Sequence, residues 1–291
     1  MEYFINKNEL QDYLILPKTF DWDLIDQELG FRKIFEFIPE DIYLETRTTK
    51  KEIFRLLTKA AVHFCFVFNI PKIKVHISST GIEQYSQDKL KTAPWWDVRD
   101  LGLTLLKAGD NYFSDAIELI SEDGELKSKI PFFEGINNYI STPSKFNQIY
   151  SINNSVEVFV LLQPYIKQAI NLKVSELLDK ECFDQILENK ELKEALYSAI
   201  VFYALYYASL LPRFVFMQNA VVIQYEELPW QKSQVLDAQS KLIAGQNFLY
   251  LADNSLKMVT NFIKNNKDQF PCYTKGASAY KIRAKQSGLY L

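Results

Sequence analysis

The stretch LLKAGDNYFSDAIELI, residues 105–120, recurs in altered form as KLIAGQNFLYLADNSLKMV, residues 241–259. Both contain an Ala-Gly-x-Asn core, at Gly109 and at Gly245, so a shift of 136 residues relates them. The apolar residues of the first stretch follow the 3.6-residue period of an α-helix. Two related amphipathic helices this far apart indicate an internal duplication.

Other blocks on both sides of these helices recur in the same order. FINKNELQDY near the N-terminus matches ISTPSKFNQIY, FEFIPEDI matches VLLQPYIKQAI, and LLTKAAVHF matches LYSAIVFY. Pro94-Trp95 likewise matches Pro229-Trp230. Ordered matches of this kind predict two tandem units. The predicted domains are a first helical unit (1–138), a second helical unit (139–269) and an extended basic arm (270–291).

Each unit is predicted to be a mainly α-helical bundle built around one buried helix. The two candidates, Thr49–Asn69 and Glu191–Leu211, are apolar around most of their circumference, as the central helix of a bundle is. Proline disrupts a helix because it lacks an N–H group. We therefore expect Pro71 and Pro212 to end these helices.

A β-ribbon and a long helix are predicted to follow each buried helix. Residues 72–77 alternate polar and apolar side chains, which indicates a half-buried strand, and residues 214–225 are their more apolar counterpart. The long helices are predicted at Trp95–Ser121 and Trp230–Asn265, because proline is favoured at helix starts. Their glycines predict close approach to a neighbouring helix, with a kink as the alternative.

Composition is that of an ordinary globular protein with many aromatic residues. Of the 291 residues, 48% are hydrophobic and 14% aromatic, and the 17 tyrosines mildly favour assembly. The net charge of −3 does not produce a general basic field for nucleic acid. Residues 275–291, however, carry four basic residues and no acid. They predict either a solvated tail or an arm that docks on an acidic neighbour or near packaged nucleic acid.

The chain offers little material for a catalytic or metal site. Only two histidines occur, and His63 on the buried helix is expected to be a core residue; neither phosphate-binding glycine motif is present. The three cysteines, far apart and without a CxxC motif, predict reduced cytosolic thiols and no disulfide framework. We therefore expect a protein that is not an enzyme and needs no cofactor or metal.

No secretory signal or membrane span is expected. The N-terminus lacks a basic segment followed by an apolar one. Residues 195–212 are uncharged and of borderline length for a bilayer. The matching segment Leu56–Pro71 contains Lys59 and His63, so a buried core helix explains both copies.

Aromatic and basic residues supply the candidate interface positions. The tryptophans that start the long helices either cover the end of the bundle or anchor a neighbouring subunit, since tryptophan is common at interface hot spots. The complete candidate set is Tyr85, Trp95, Trp96, Tyr225, Trp230, Lys275, Tyr280, Lys281, Arg283 and Lys285.

Several motifs occur in order along the chain: V-x-I-S-x-x-G-I (75–82), K-x-A-x-W-W (91–96) and A-G-x-N (108–111), with A-G-x-N-x-L (244–249) and F-P-x-Y-x-x-x-x-S (270–278) in the second copy. This string of motifs resembles an uncharacterised family of proteins from Bacteroidetes phages and prophages. The second copy departs from the motifs, because one tryptophan is missing and Val222 replaces Gly81.

The resemblance implies a structural protein of the virion. Its most concrete form is a head–tail connector, an adaptor that forms a homo-oligomeric ring at the portal and contacts neighbouring neck or tail proteins. Such a protein would be found in the virion, and in the host cytoplasm during assembly. Two alternatives stay open: another capsid- or tail-associated protein, or a cytosolic module that binds a ligand between the two units.

Overall fold

The structure is a computed structural model of the chain, and the described residues are mainly helical, as predicted. They comprise residues 10, 12–14, 22–78, 81–84, 94–210, 214–217, 220–223 and 238–273.

From residue 22 onward, the described part of the first half contains five α-helices and two short 3-10 helices (Trp22–Leu24 and Pro131–Gly135). The α-helices are α1 (Gln27–Phe35), α2 (Glu40–Thr49), α3 (Lys51–Lys74), α4 (Trp95–Glu122) and α5 (Gly124–Lys129).

The described part of the second half contains six α-helices, and a π-helical turn follows the second of them at Ile170–Val174. The helices are α6 (Pro143–Asn147), α7 (Val156–Ala169), α8 (Ser175–Leu177), α9 (Lys180–Ile186), α10 (Lys190–Ser209) and α11 (Ala238–Asn265).

Each half also contains a two-stranded antiparallel ribbon, although residues 72–74, which were predicted as strand, belong to the preceding helix. Strands β1 (Val75–Ser78) and β2 (Gly81–Gln84) form the first, and β3 (Phe214–Met217) and β4 (Ala220–Ile223) form the second. A shift of 139 residues carries every pair of the first ladder onto a pair of the second. The counterpart of Gly81 is therefore Ala220. The match of Gly81 to Val222 was wrong, because it aligned similar side chains without the register of the ladder.

The same order of elements thus occurs twice in the chain. A short helix (α2 or α9) precedes a long buried helix (α3 or α10), and a ribbon and a second long helix (α4 or α11) follow. Helix α4 has nearly the predicted bounds, and α11 ends at the predicted Asn265.

The prolines correct two expectations. Pro71 lies inside α3, which continues to Lys74 instead of ending. Proline removes one backbone N–H, and here that loss falls in the last turn and a half of the helix, where few bonds remain to be broken. Pro39 and Pro164 are not equivalent either, since Pro39 occupies the N-cap of α2 and Pro164 lies inside α7.

Helix α3 forms the centre of the first core. Ala60, Ala61 and Phe64 are buried along it. A Cβ atom added to Gly109 of α4 would lie 2.7 Å from the Phe64 ring, and one added to Gly30 of α1 would lie 2.3 Å from the Ala61 carbonyl oxygen. The predicted close approach at Gly109 is confirmed. Both glycines are needed because a side chain would force the helices apart.

One helix in the described part is long and apolar enough to cross a membrane. It is residues Lys51–Ile73 of α3, and 72% of its most apolar window is buried inside the protein.

Contacts between Cα atoms divide the chain into two compact units. The first is Met1–Pro164 with Ala208–Leu242, and the second is Tyr165–Tyr207 with Ile243–Leu291. This division is based on contacts in the structure, whereas the predicted bounds at residues 138 and 269 were based on the sequence repeat. The two divisions describe different properties, so the predicted bounds of the repeat units stay a prediction.

The cysteine prediction was wrong for two of the three residues. Cys182 and Cys272 form a disulfide across 90 residues of sequence, with their Cα atoms 5.4 Å apart. Because the fold alone brings these two cysteines together, no short spacing motif in the sequence could have indicated the bond. Cys65 is a free, buried thiol, and burial raises its pKa to about 12.

Candidate functional site

The predicted interface residues lie largely outside the described part of the chain. Trp95 and Trp96 are the first two residues of α4, but the structure describes only their backbone. The other eight fall outside the described residues, and their role stays a prediction: Tyr85, Tyr225, Trp230, Lys275, Tyr280, Lys281, Arg283 and Lys285.

Several buried positions of α4 and α11 correspond at the shift of 136 residues. Gly109 and Ala116 of α4 are buried, and so are their counterparts Gly245 and Ala252 of α11. Ile120 and Leu256 form another buried pair of equivalent positions. The two helices therefore present the same face to their own cores.

An aromatic contact between the two long helices of each copy also recurs. In the first copy the rings of His63 and Tyr112 lie 5.3 Å apart. The equivalent rings in the second copy, Phe202 and Phe248, are 6.3 Å apart. The His63 Nδ1 atom is 2.7 Å from the Lys59 carbonyl oxygen, and burial lowers the pKa of the imidazole. His63 is a core residue in an aromatic position, as predicted.

The outer faces of the same two helices differ in chemical character. Exposed charged residues of α4 (Lys107, Asp115 and Glu122) correspond to exposed apolar residues of α11. These are Ile243, Leu251 and Met258, with exposed fractions of 50%, 42% and 66%.

Two aromatic residues extend this apolar surface on α11. Tyr250 is 67% exposed and Phe262 is 36% exposed. Residues spaced by seven, eight or four positions lie on one side of a helix. We call this set the outer stripe: Ile243, Tyr250, Leu251, Met258 and Phe262.

A second surface feature is a groove in the first unit, which we call the aromatic groove. It is bounded by residues 35–39 between α1 and α2, by residues 131–136, and by Val160 and Gln163 of α7. Its volume is about 340 Å³, at the lower end of the roughly 300–1,000 Å³ typical of ligand sites. The Phe37 and Phe132 rings meet edge to face with their centroids 5.9 Å apart.

Gln163 contributes a buried polar group to this apolar groove. The residue is 5% exposed, and its Oε1 atom accepts a hydrogen bond from the Asn137 backbone N–H at 3.0 Å. Its Nε2 amide is buried and has no hydrogen-bond partner among the described residues. Because a buried donor without a partner is unfavourable, it suggests a binding site.

A small charge cluster lies near the groove. The Lys33 ammonium pairs with Glu157 and, at 3.3 Å, with Glu36. Asp110 of α4 is close to the same groups. Burial raises its pKa from 3.8 to about 7, Lys33 opposes that shift and Glu157 adds to it.

No set of three His, Cys, Asp or Glu side chains in the described part of the chain is placed to hold a metal ion.

Sequence reasoning missed both surface features for different reasons. The outer stripe was visible in principle, because the two Ala-Gly-x-Asn helices could be compared at exposed positions as well as at buried ones. The aromatic groove combines residues up to 128 positions apart, from Phe35 to Gln163, and no local pattern brings them together.

Comparison with known proteins places the chain in a family without assigning it an activity. The profile of a family of unknown function, DUF6712, matches residues 23–126 and 157–281. The two matched segments fall on the two copies and together cover more than half of the chain. Searches of curated proteins and of solved structures found no significant match. The chain is therefore a member of the DUF6712 family of unknown function.

Proposed function

We propose that this protein is a structural virion protein of a tailed bacteriophage, a head–tail connector that assembles into a homo-oligomeric ring at the portal. It acts by binding copies of itself and neighbouring neck or tail proteins, with no catalytic role. The observation that carries the proposal is the outer stripe on α11.

The outer stripe has the composition of a protein interface. Tyrosine, phenylalanine and methionine are enriched at the buried centres of interfaces, and contiguous exposed apolar residues mark interaction sites. Three of the stripe's five positions match exposed charged residues of α4, so the duplicated fold does not itself require apolar side chains at those positions. The stripe is therefore available for assembly.

The ribbons offer a second means of contact between subunits. In the described part of the chain each ribbon has only two strands. A two-stranded ribbon has open backbone edges and is marginally stable alone, so pairing or packing against a neighbour would stabilise it.

The Cys182–Cys272 disulfide supports a role in a particle. Disulfides persist in oxidising surroundings, including the surfaces of virions, and are rare in the reducing cytosol. A virion component that matures outside the cell meets this condition. The resemblance of the motifs to phage and prophage proteins points to the same class.

Proteomics of purified particles tests the proposal. Particles induced from a lysogen that carries the gene should contain the chain at a fixed ratio to the portal, and averaged particle images should show a ring below the portal that antibodies label. A particle without the chain contradicts a virion role. Labelling at the capsid or tail instead contradicts the connector and supports another structural part.

A further inference from the structure

We propose that the aromatic groove binds an extended peptide, residues 280–285 of a second copy of this chain. The inference deepens the proposed assembly and rests on it in one respect, the presence of a second copy. The binding chemistry itself is that of a basic, apolar peptide held by backbone hydrogen bonds and aromatic walls.

The orientation of the Gln163 amide is fixed by its partner. The Asn137 backbone N–H can only donate, so the atom 3.0 Å from it must be the oxygen of the side-chain amide. The unpaired end is therefore the NH2 group, which is buried. A ligand at this point must offer an acceptor, and a peptide carbonyl does.

The same helix supplies an acceptor one turn earlier. Val160 also bounds the groove, and in α7 its carbonyl would normally accept from the N–H of residue 164. That residue is Pro164, which has no N–H. The Val160 carbonyl therefore lacks its helical donor, and an incoming peptide N–H can serve. One donor and one acceptor on adjacent turns match the alternating groups of an extended backbone.

The walls of the groove fit apolar side chains. Phe35, Phe37 and Phe132 supply aromatic surface, and Pro39 and Pro131 add rigid apolar faces. Aromatic and proline side chains have few rotatable bonds, so they lose little conformational entropy when a peptide binds to them.

The basic tail has the matching pattern in its sequence. In YKIRAK, residues 280–285, Tyr280, Ile282 and Ala284 alternate with three basic residues. Successive side chains of an extended chain point to opposite sides. Bound in that form, the segment would put its apolar side chains into the groove and its basic side chains on the outside.

Charge around the groove complements those basic residues. The segments 35–41 and 131–136 contain four exposed acids and no lysine or arginine. These acids are Glu36, Glu40, Asp41 and Glu134. Lys33 forms an ion pair with Glu36, but it also forms one with Glu157. Residues 275–285 of the tail, by contrast, contain four basic residues and no acid.

Photo-crosslinking in the full chain tests the occupant. A photoreactive phenylalanine analogue replaces Tyr280, and light and ¹⁵N-labelled chains are mixed, assembled and irradiated. We expect cross-links from position 280 to residues 35–39 or 131–136 in which one peptide is light and the other heavy. Cross-links only within one chain, cross-links elsewhere, or none would overturn the proposal.

A steric block with a matched control tests the groove itself. A Cβ atom added at Gly135 or at Gly124 would meet no atom within 4 Å, so a side chain at either position starts in open space. Only Gly135 bounds the groove. We expect Gly135→Trp to reduce the inter-chain cross-link more than tenfold and Gly124→Trp to leave it unchanged. Equal yields from the two variants would refute the groove as the receptor.

Titration of a labelled synthetic peptide, residues 274–291, onto the full chain separates this inference from the proposed function. We expect the anisotropy to rise as the peptide binds, and Gly135→Trp to abolish this binding. Gln163→Met should raise the Kd of the peptide about threefold to tenfold, as expected for the loss of one hydrogen bond. Unweakened peptide binding by both variants overturns the groove, whatever the protein assembles into. Particle proteomics tests the virion role alone, since a protein absent from virions could still bind its own tail.

Discussion

Helices α4 and α11 are related by duplication, yet they differ in the surface that they show to solvent. Some of their buried positions match, including the glycines at 109 and 245 and the alanines at 116 and 252. At three exposed positions, a charged residue of α4 corresponds to an apolar residue of α11. The duplicated fold thus constrains the inner positions that pack in the core, whereas the outer positions are free to differ in chemistry between the copies.

A second contrast concerns how each copy is held together. The first copy uses glycines that allow close contact between helices, and its cysteine is a buried thiol. The second copy has a disulfide between α9 and the segment after α11. Mutation can remove each of these stabilising features separately.

Loss of the disulfide should have the largest effect. Replacing Cys182 and Cys272 by serine removes a cross-link that spans 90 residues, and loop entropy predicts a loss of about 4 kcal/mol in the second copy. Hydrogen exchange should show faster exchange in α9 and α10, with α3 unchanged. Equal protection in oxidised protein and the double variant would show that the bond contributes nothing to folding.

The substitution Gly30→Ala should destabilise the first copy by about 3 kcal/mol. Its Cβ atom would lie 2.4 Å from the Cys65 backbone nitrogen and equally close to the Cys65 sulfur. Backbone cannot yield as a side chain can, so α1 must move away from α3. Denaturant unfolding measures the change. Gly135→Ala, with open space around the new atom, is the control and should stay within about 0.5 kcal/mol of the parent.

Tyr203→Phe should cost about 1.5 kcal/mol, because it removes a hydrogen bond to a carboxylate. The buried Tyr203 hydroxyl donates to Asp253 Oδ1 at 2.5 Å, and burial raises the pKa of the phenol. The equivalent residue of the first copy is Phe64, which makes no such bond. In an Asp253→Ala background the same substitution should cost little. An unchanged cost there would assign the effect to packing instead.

The effect of Asp110→Asn should depend on pH and appear only at higher pH. Burial raises the pKa of Asp110 from 3.8 to about 7, so the folded protein holds a proton that the unfolded chain releases. The free energy of unfolding therefore falls as pH rises from about 4 to 7. The asparagine variant should lack this part of the decline and be the more stable protein at pH 8. Parallel stability–pH curves for the two proteins would contradict the shift. The matched residue in the second copy is Gln246, which has no charge to titrate.

The repeated pattern of apolar residues predicted much of the fold. The mainly helical class, the close approach at Gly109 and the bounds of α4 follow from local periodicity and turn chemistry. The predicted end of α3 was wrong because Pro71 lies so close to the end of the helix that its missing N–H costs few backbone hydrogen bonds. The disulfide and the match of Gly81 to Ala220 depend on contacts and ladder register that the sequence does not display.

The candidate surfaces were less accessible to sequence reasoning. The predicted interface residues were chosen for aromatic or basic character, a criterion that does not use exposure. Tyr250 and Met258 were passed over because they sit in a helix interpreted by its buried positions alone. The Gln163 amide becomes notable only when its burial and missing partner are known.

Native mass spectrometry of the full chain is the most direct test of the claim that the outer stripe joins copies of this protein. The parent should form complexes of a fixed multiple of 34.0 kDa. Tyr250→Glu with Met258→Glu should reduce them to monomers, while Leu101→Glu with Leu103→Glu on the exposed face of α4 should not. A parent that is monomeric at every concentration, or a stripe variant that assembles as fully as the parent, would contradict the claim.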